Sequence, residues 1–180
     1  MTSARVNNQP TAPVDVRAAR PEEFTSIAEL VARGFRAGPY GHLPVSDARR
    51  RLLDDSAGRA AAGALLVATS GGALLGTATL MRPGTVGTRL AVSGEAELRL
   101  LVVDAAARGR GVGEALVHAS VDVAVRWGAK AVVLDTGSLN LPAQRLYERL
   151  GFSRLWDRSV DEERASTIES FVYSYELAPG

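Results

Sequence analysis

Cysteine is absent from this 180-residue chain. That excludes disulfides, thiolate metal sites and a cysteinyl acyl-enzyme. Histidine is scarce: His42 and His118 stand far apart, so no histidine-based metal centre is expected. No apolar run approaches the roughly 18 residues that a membrane span needs. The opening residues, MTSARVNNQPTAP, lack the hydrophobic stretch of a secretory leader. An excess of one charge is missing too. Lys and Arg number 21 against 20 Asp and Glu, a formal net charge of +1. Such a balance offers no broad field to nucleic acid or to a membrane surface. Cytoplasmic location is the default expectation.

What is present suits one α/β domain, over residues 14–180, behind a flexible polar tail at residues 1–13. Val14, Val16 and Ala18 alternate with charged residues as in a short strand. Pro21, Glu22 and Glu23 open a helix whose apolar stripe is Phe24, Ile27, Leu30, Val31 and Phe35. Gly38-Pro39-Tyr40-Gly41 ends it, and a second helix is expected from about Ser46. Segments 64–69 and 73–81 flank Ser70-Gly71-Gly72, a hairpin signal. An apolar strand follows at 95–104, then a helix with Val112, Leu116, Ala119, Val123 and Trp127 on one side. Beyond it come a buried strand at 131–135 and a short helix led by Asn140 and closed by Gly151. Two last strands lie near 152–156 and 171–177. The order β-α-α-β-β-β-α-β-α-β-β predicts a mixed sheet with helices on both faces.

Chemistry concentrates in Arg108-Gly109-Arg110-Gly111-Val112-Gly113, between the apolar strand and its helix. Amides at a helix start lack internal partners and can point at a phosphate. Glycine lets the backbone approach closely, and Arg108 and Arg110 add charge. A P-loop needs Lys-Ser/Thr after its last Gly, where this chain has Glu114-Ala115. A dinucleotide fingerprint needs a third Gly at position 114, which is Glu. The remaining pattern is Q/R-x-x-G-x-G/A, which Arg108, Gly111 and Gly113 satisfy. The wider run ELRLLVVDAAARGRGVGEALV, followed by NLPAQRLYERLGF, resembles the two signature blocks of the GNAT superfamily of acetyl-CoA-dependent N-acetyltransferases. The strong resemblance covers residues 95–152, and the order of elements extends it over 14–177.

The resemblance implies the family's fold: a mixed, mostly antiparallel sheet of about seven strands with helices on both faces. It implies acetyl-CoA as acetyl donor and no metal. The backbone of Leu101, Val102 and Val103 would pair with the pantetheine arm, and that of residues 108–113 would hold the pyrophosphate. Asn140, Ala143 and Tyr147 would flank the thioester. The reaction implied is direct attack of a primary amine in a ternary complex. A lysine-like amine is neutral in roughly one molecule in 2,500 at pH 7, a cost of about 4.6 kcal/mol, so a base is useful. Glu97, at the start of the central strand, is the candidate base, with Glu95 as fallback. The competing reading of Glu97 is a solvated carboxylate at the strand entrance. Tyr147 is the candidate acid for the leaving thiolate, against plain helix packing.

The acceptor is a small-molecule amine or a protein amino group. The resemblance places its selection at residues 35–53, with Tyr40 and His42, and at residues 157–167, with Asp157, Asp161, Glu162 and Glu163. His118 reads as a surface or packing residue. No nucleic acid or membrane partner is expected, and the chain is a monomer or homodimer. The rival readings are a catalytically silent acyl-CoA sensor and an RNA-binding module built on the Arg-Gly run.

Overall fold

A computed structural model describes residues 13–85, 87–158 and 168–178. The expectations for residues 1–12 and for Asp161, Glu162 and Glu163 lie outside the described residues. Seven strands form one sheet, β1 (Asp15–Ala18), β2 (Gly63–Ser70), β3 (Ala73–Met81), β4 (Glu95–Val103), β5 (Ala131–Gly137), β6 (Ser153–Leu155) and β7 (Ser170–Glu176). Their order across the sheet is β1-β2-β3-β4-β5-β7-β6. Among the described residues, only β4 and β5 pair in parallel. This is the mixed, mostly antiparallel architecture expected from the sequence.

The helices are α1 (Phe24–Arg36), α2 (Asp47–Asp54), α3 (Ser56–Ala62), α4 (Val112–Arg126) and α5 (Leu141–Arg149). α1 turns Ile27, Leu30 and Val31 onto Leu65, Val67, Leu100 and Val102. α4 brings Val112, Leu116, Val117 and Val123 onto the other face, against Leu66, Ala78, Leu80, Ala96 and Leu98. Side chains of α5 join that second cluster. No helix among the described residues is long and apolar enough to cross a membrane.

Local chemistry fixes several joints. Gly71 and Gly72 both hold positive φ, 56° and 82°, which suits the tight β2–β3 hairpin and its strand twist. Ser46 caps α2 by accepting from the Arg49 amide at 3.3 Å. The sequence reading omitted α3. Its residues, SAGRAAA, favour helix but carry no apolar stripe. Asp55 starts it by accepting from the Gly58 amide at 2.7 Å. Its buried residues are Ser56 and Arg59, and Arg59 donates to Thr79 Oγ1, Ser56 Oγ and the Leu53 carbonyl. Burial pulls its pKa down to about 10, against the opposing pull of Asp55.

The centre of the sheet is irregular. Thr77 faces Val102 while Thr79 faces Arg99, so β4 spends three residues where β3 spends two. Leu100, at φ 52°, absorbs the bulge. A non-glycine residue in that region costs on the order of 1–2 kcal/mol. The bulge reverses the strand's faces: Ala96 and Leu98 pack on the α4 side, Leu100 and Val102 on the α1 side. β4 and β5 are joined only at Glu95–Ala131, Ala96–Val132 and Glu97–Val133. Beyond these pairs they part, and the β5-facing edge of β4 runs on without a strand beside it.

Gly34 lets α1 sit directly on the bulged segment, because a Cβ there would overlap the Val102 Cγ1 methyl. Valine is stiff at χ1 and cannot swing aside. Ala gains roughly 1 kcal/mol of helix propensity, but overpacking costs about 1–3 kcal/mol. Gly34→Ala is therefore expected to lower stability by up to about 2 kcal/mol in urea unfolding. In a Val102→Ala background the same change should stabilise. Destabilisation in both backgrounds would show that the Val102 methyl is not what Gly34 accommodates.

Candidate active site

Strand β4 ends at Val103, and Asp104 caps the following turn by accepting from the Ala106 amide at 3.0 Å. A single 3-10 turn, Ala105–Ala107, leads to the glycines. Gly109 and Gly111 hold φ of 72° and 75°. A Cβ at either would meet nothing within 4 Å, so this side of the turn is open. Gly111 is the N-cap of α4, and the first amides of that helix have no partner within it. Arg108 and Arg110 are exposed beside them. Gly113 serves another purpose. Its Cβ would lie 3.2 Å from Leu146 Cδ2, so the bare backbone lets α4 and α5 pack closely.

α5 follows the opening between β4 and β5. Asn140 stands at its N-cap without a side-chain capping bond. Gln144 holds the approach by donating to the Gly137 and Ser138 carbonyls at 3.1 and 2.9 Å. Ala143 and Tyr147, one turn apart, pack into the same cluster. The buried Tyr147 ring meets Phe152 and Tyr173 at centroid distances of 5.7 and 6.2 Å. Burial, with a smaller push from the Asp135 charge, raises the phenol well above its ordinary pKa. Tyr147 thus remains a neutral O–H donor at physiological pH.

The acidic residues differ most from expectation. Glu97 is 0% exposed, which corrects the picture of a solvated carboxylate at the strand entrance. Its Oε2 accepts from the amides of Arg89, Leu90 and Ala91 at 2.7, 2.7 and 3.2 Å. Its Oε1 has no hydrogen bond and lies 3.5 Å from Arg99 Nε. One carboxylate thereby fastens the β3–β4 connection across the sheet face. Leu90, at its centre, is buried against Val133 and Val172. Glu95 is occupied on both oxygens by Arg158, at 2.9 and 2.7 Å, and accepts from the Val92 amide. Burial alone would raise its pKa. The Arg158 bonds and the Val92 amide outweigh that and hold the carboxyl below its usual range.

Asp135 and Arg89 carry no local sequence signal that names them as a pair, whereas Tyr40 stands on the connection already expected to select the acceptor. Asp135, on β5 just beyond the last pairing with β4, accepts at Oδ1 from Arg89 Nη2. Its signal was a carboxylate interrupting an apolar strand. Tyr40, on the α1–α2 connection, lies against Gly137, where a Cβ would overlap its ring. Its hydroxyl accepts from the Leu139 amide at 2.7 Å. Neighbouring His42 is exposed. His118 is a surface residue, its side chain 63% exposed and 3.8 Å from Glu114. Among the described residues, no three of His, Asp and Glu gather to hold a metal.

Comparison with known proteins bears on this arrangement. The model of the acetyltransferase (GNAT) family matches residues 24–152. A mycothiol acetyltransferase of Arthrobacter sp. strain FB24 is 36% identical over 121 residues, covering 67% of this chain and 35% of that protein. The mycothiol acetyltransferase of Salinispora arenicola is 36% identical over 165 residues, covering 87% of this chain and 50% of that protein. The chain thus spans a third to a half of the length of these curated relatives. Among solved structures, a GCN5-related N-acetyltransferase from Kribbella flavida superposes with a TM-score of 0.66 at 26% identity, covering 91% of this chain and 98% of that one. A GNAT family acetyltransferase from Brucella melitensis, in complex with acetyl-CoA, gives 0.62 at 22% identity, covering 93% of this chain and 90% of that one.

The Glu97 anchor has a direct test. Glu97→Gln keeps an oxygen for the three amides but removes the charge that strengthens their bonds. Stability should fall by about 1–3 kcal/mol. Hydrogen exchange at the Leu90 amide should quicken by roughly tenfold or more, at 1.4 kcal/mol per decade. Unchanged exchange at residues 89–91 would refute the anchoring role.

Proposed function

The chain belongs to the GNAT acetyltransferase family, and from that premise we propose that it moves an acetyl group from acetyl-CoA to a primary amine by direct attack in a ternary complex. The observation that carries this reading is that the unpaired edge of β4 runs into the open-sided glycine turn at the start of α4, with the buried Tyr147 packed in the cluster on the α4 side of the sheet. A phosphate-bearing thioester needs all three. Amides of residues 109–114 would hold the pyrophosphate. Backbone groups of Leu101, Val102 and Val103 would pair with the pantetheine amides as an added strand would. Asn140 and Ala143 would flank the thioester beside Tyr147.

The amine first gives up a proton, and its lone pair then attacks the thioester carbonyl carbon. The carbon–sulfur bond breaks, its electron pair leaves on sulfur, and the second nitrogen proton passes to that sulfur, giving the amide and the free CoA thiol. Tyr147 offers its O–H to that sulfur; its raised pKa suits a hydrogen-bond donor better than a full proton donor. Glu97, fully buried with Oε1 free of the loop amides, would take the amine proton through a water relay and not by direct contact. Glu95 is the weaker choice, since Arg158 holds both its oxygens. The acceptor is a small-molecule amine or a protein amino group. The chain acts in the cytoplasm, as a monomer or homodimer.

A panel of amines and peptides, read by release of free CoA thiol, tests the activity. Acetyl-CoA binding without release on any acceptor would favour the silent sensor. Gly111→Val should weaken acetyl-CoA binding at least about tenfold by calorimetry, since it bars the open side of the turn and strains a positive φ. Unchanged affinity in a folded variant would move the cofactor elsewhere. Tyr147→Phe should leave melting temperature and acetyl-CoA affinity near normal while slowing turnover by roughly 10- to 100-fold, at or below the low end for one lost transition-state donor, because a thiolate is already a fair leaving group. An unaltered single-turnover rate would return Tyr147 to packing alone.

A further inference from the structure

Asp135 is an expensive residue to keep where it stands. It interrupts a strand whose preceding four residues are all buried, and its own side chain is 11% exposed. A carboxylate in such a place needs a compensating partner. Its partner is Arg89, 14% exposed, reaching across from the β3–β4 connection. Two other carboxylate–arginine pairs of this protein are two-pronged, while the single-pronged Arg149–Glu114 and Arg33–Asp104 pairs have the more exposed side chains. Arg158 grips both oxygens of Glu95, and Arg17 both oxygens of Glu23. Arg89 uses Nη2 alone, on Oδ1 alone. Its buried Nε has no hydrogen-bond partner, and among the described residues no other donor reaches the Asp135 carboxylate. A planar fork that meets a carboxylate with one prong leaves much of its binding capacity unused.

Position gives this incomplete pair a meaning. Val133 is the last β5 residue paired with β4, opposite Glu97. Asp135 is the next residue on the same face, so it borders the opening between the strands. Gly137 follows on that face, covered by the Tyr40 ring. Tyr147 packs on the opposite side of the sheet, with α4 and α5. The opening thus has Tyr147 on one side of the sheet and Asp135 on the other, so a thioester held in it would lie between the two. The influence of the Asp135 charge on the Tyr147 phenol agrees with this closeness.

Resting on the acetyl-transfer reading above, we propose that Asp135 binds the ammonium of the acceptor, and that the Arg89 guanidinium competes with that ammonium for the same carboxylate. The acceptors selected are then amines that arrive as cations. The Arg89 backbone is pinned by Glu97 through its amide, so its long side chain can leave Asp135 without unseating the loop. The ammonium then loses its proton before attack, as in the transfer described above.

The two residues should act in opposite directions, which a merely structural ion pair would not do. Binding of benzylammonium to the CoA-loaded protein, followed by NMR titration, is the first measurement, with benzyl alcohol as the uncharged probe. Asp135→Asn should weaken benzylammonium binding by roughly ten- to hundredfold, the worth of one charge-assisted bond. Arg89→Gln should tighten it, and neither variant should alter benzyl alcohol binding. Should Arg89→Gln fail to fold, Arg89→Lys, which loses the planar fork, should tighten it to a smaller degree. The second measurement is transfer to benzylamine against phenylhydrazine, a close isostere that is largely neutral at pH 7. Asp135→Asn should raise KM for benzylamine and leave that for phenylhydrazine unchanged. No benzylammonium binding by the wild type, or equal weakening by both variants, would overturn the proposal. Asp135-dependent binding without any acetyl transfer would support the site and defeat the transferase reading. Transfer to benzylamine that is indifferent to Asp135→Asn would defeat the site alone.

Discussion

Backbone groups on the β5-facing edge of β4 lose their ladder partners once the two strands part after Glu97 and Val133. An edge of this kind inside a sheet is costly unless something pairs with it. The fold maintains it by two devices. The bulge at Leu100 turns the later part of β4 so that its side chains anchor on α1 through Leu100 and Val102. β5 is held away by β7, which pairs with it along its whole length from Ala131 to Gly137. The opening is thus fixed from both sides by packing that does not involve a ligand. The glycine turn follows as a consequence. Because β4 bends at the bulge and ends at the Asp104 cap, α4 starts beside the opening with its unpaired amides exposed.

Charges on the α1 face of the opening are organised around the same strands. Glu95, Glu97 and Asp135 are partnered by Arg158, Arg99 and Arg89, in that order. Three anions against three cations leave the face close to neutral, so no bulk field draws a ligand in. What distinguishes the groups is how completely each is satisfied. Glu95 is saturated, Glu97 is saturated on one oxygen, and Asp135 is held by a single prong. In a low-dielectric setting such differences matter more than the count of charges, because an unsatisfied buried polar atom is expensive. The least satisfied carboxylates are the ones beside the opening, and the most satisfied lies furthest along the strand from it.

The parts legible in the sequence were those whose cause is local. The Ser70-Gly71-Gly72 hairpin, the Ser46 cap and the glycine turn each depend on residues within a few positions of one another. Tyr147 and Glu97 were legible through the resemblance of the two blocks that carry them to the family's signatures. The environment of Glu97 was not legible, since the amides that enclose it come from residues 89–91, on a connection with no periodic pattern. Arg89 and Asp135 are 46 residues apart, and Tyr40 and Leu139 are 99 apart. No propensity or periodicity links such positions; only the topology brings them together. α3 was missed for a different reason: an Ala-rich segment has the propensity for helix but none of the apolar stripe that makes a helix visible as amphipathic.

Tyr147 shows how packing and chemistry constrain each other at this opening. Its ring fills the space between Phe152, Tyr173 and the α4 cluster, so removing the ring would create a cavity as well as delete a donor. The same burial raises the phenol pKa. A raised folded-state value means that the neutral phenol is the form favoured by folding. Its contribution to stability is complete below the unfolded value of about 10 and is lost only as pH rises through the higher folded value. Over the range in which an amine becomes nucleophilic, the hydroxyl therefore keeps its hydrogen and its position. A phenol this reluctant to ionise cannot fully protonate a thiolate, whose conjugate acid is the stronger one at about 8.5. It can stabilise developing charge on sulfur through a fixed hydrogen bond, with no reorganisation at the moment of bond breaking. The burial that makes Tyr147 a weak acid is what makes it a well-placed donor.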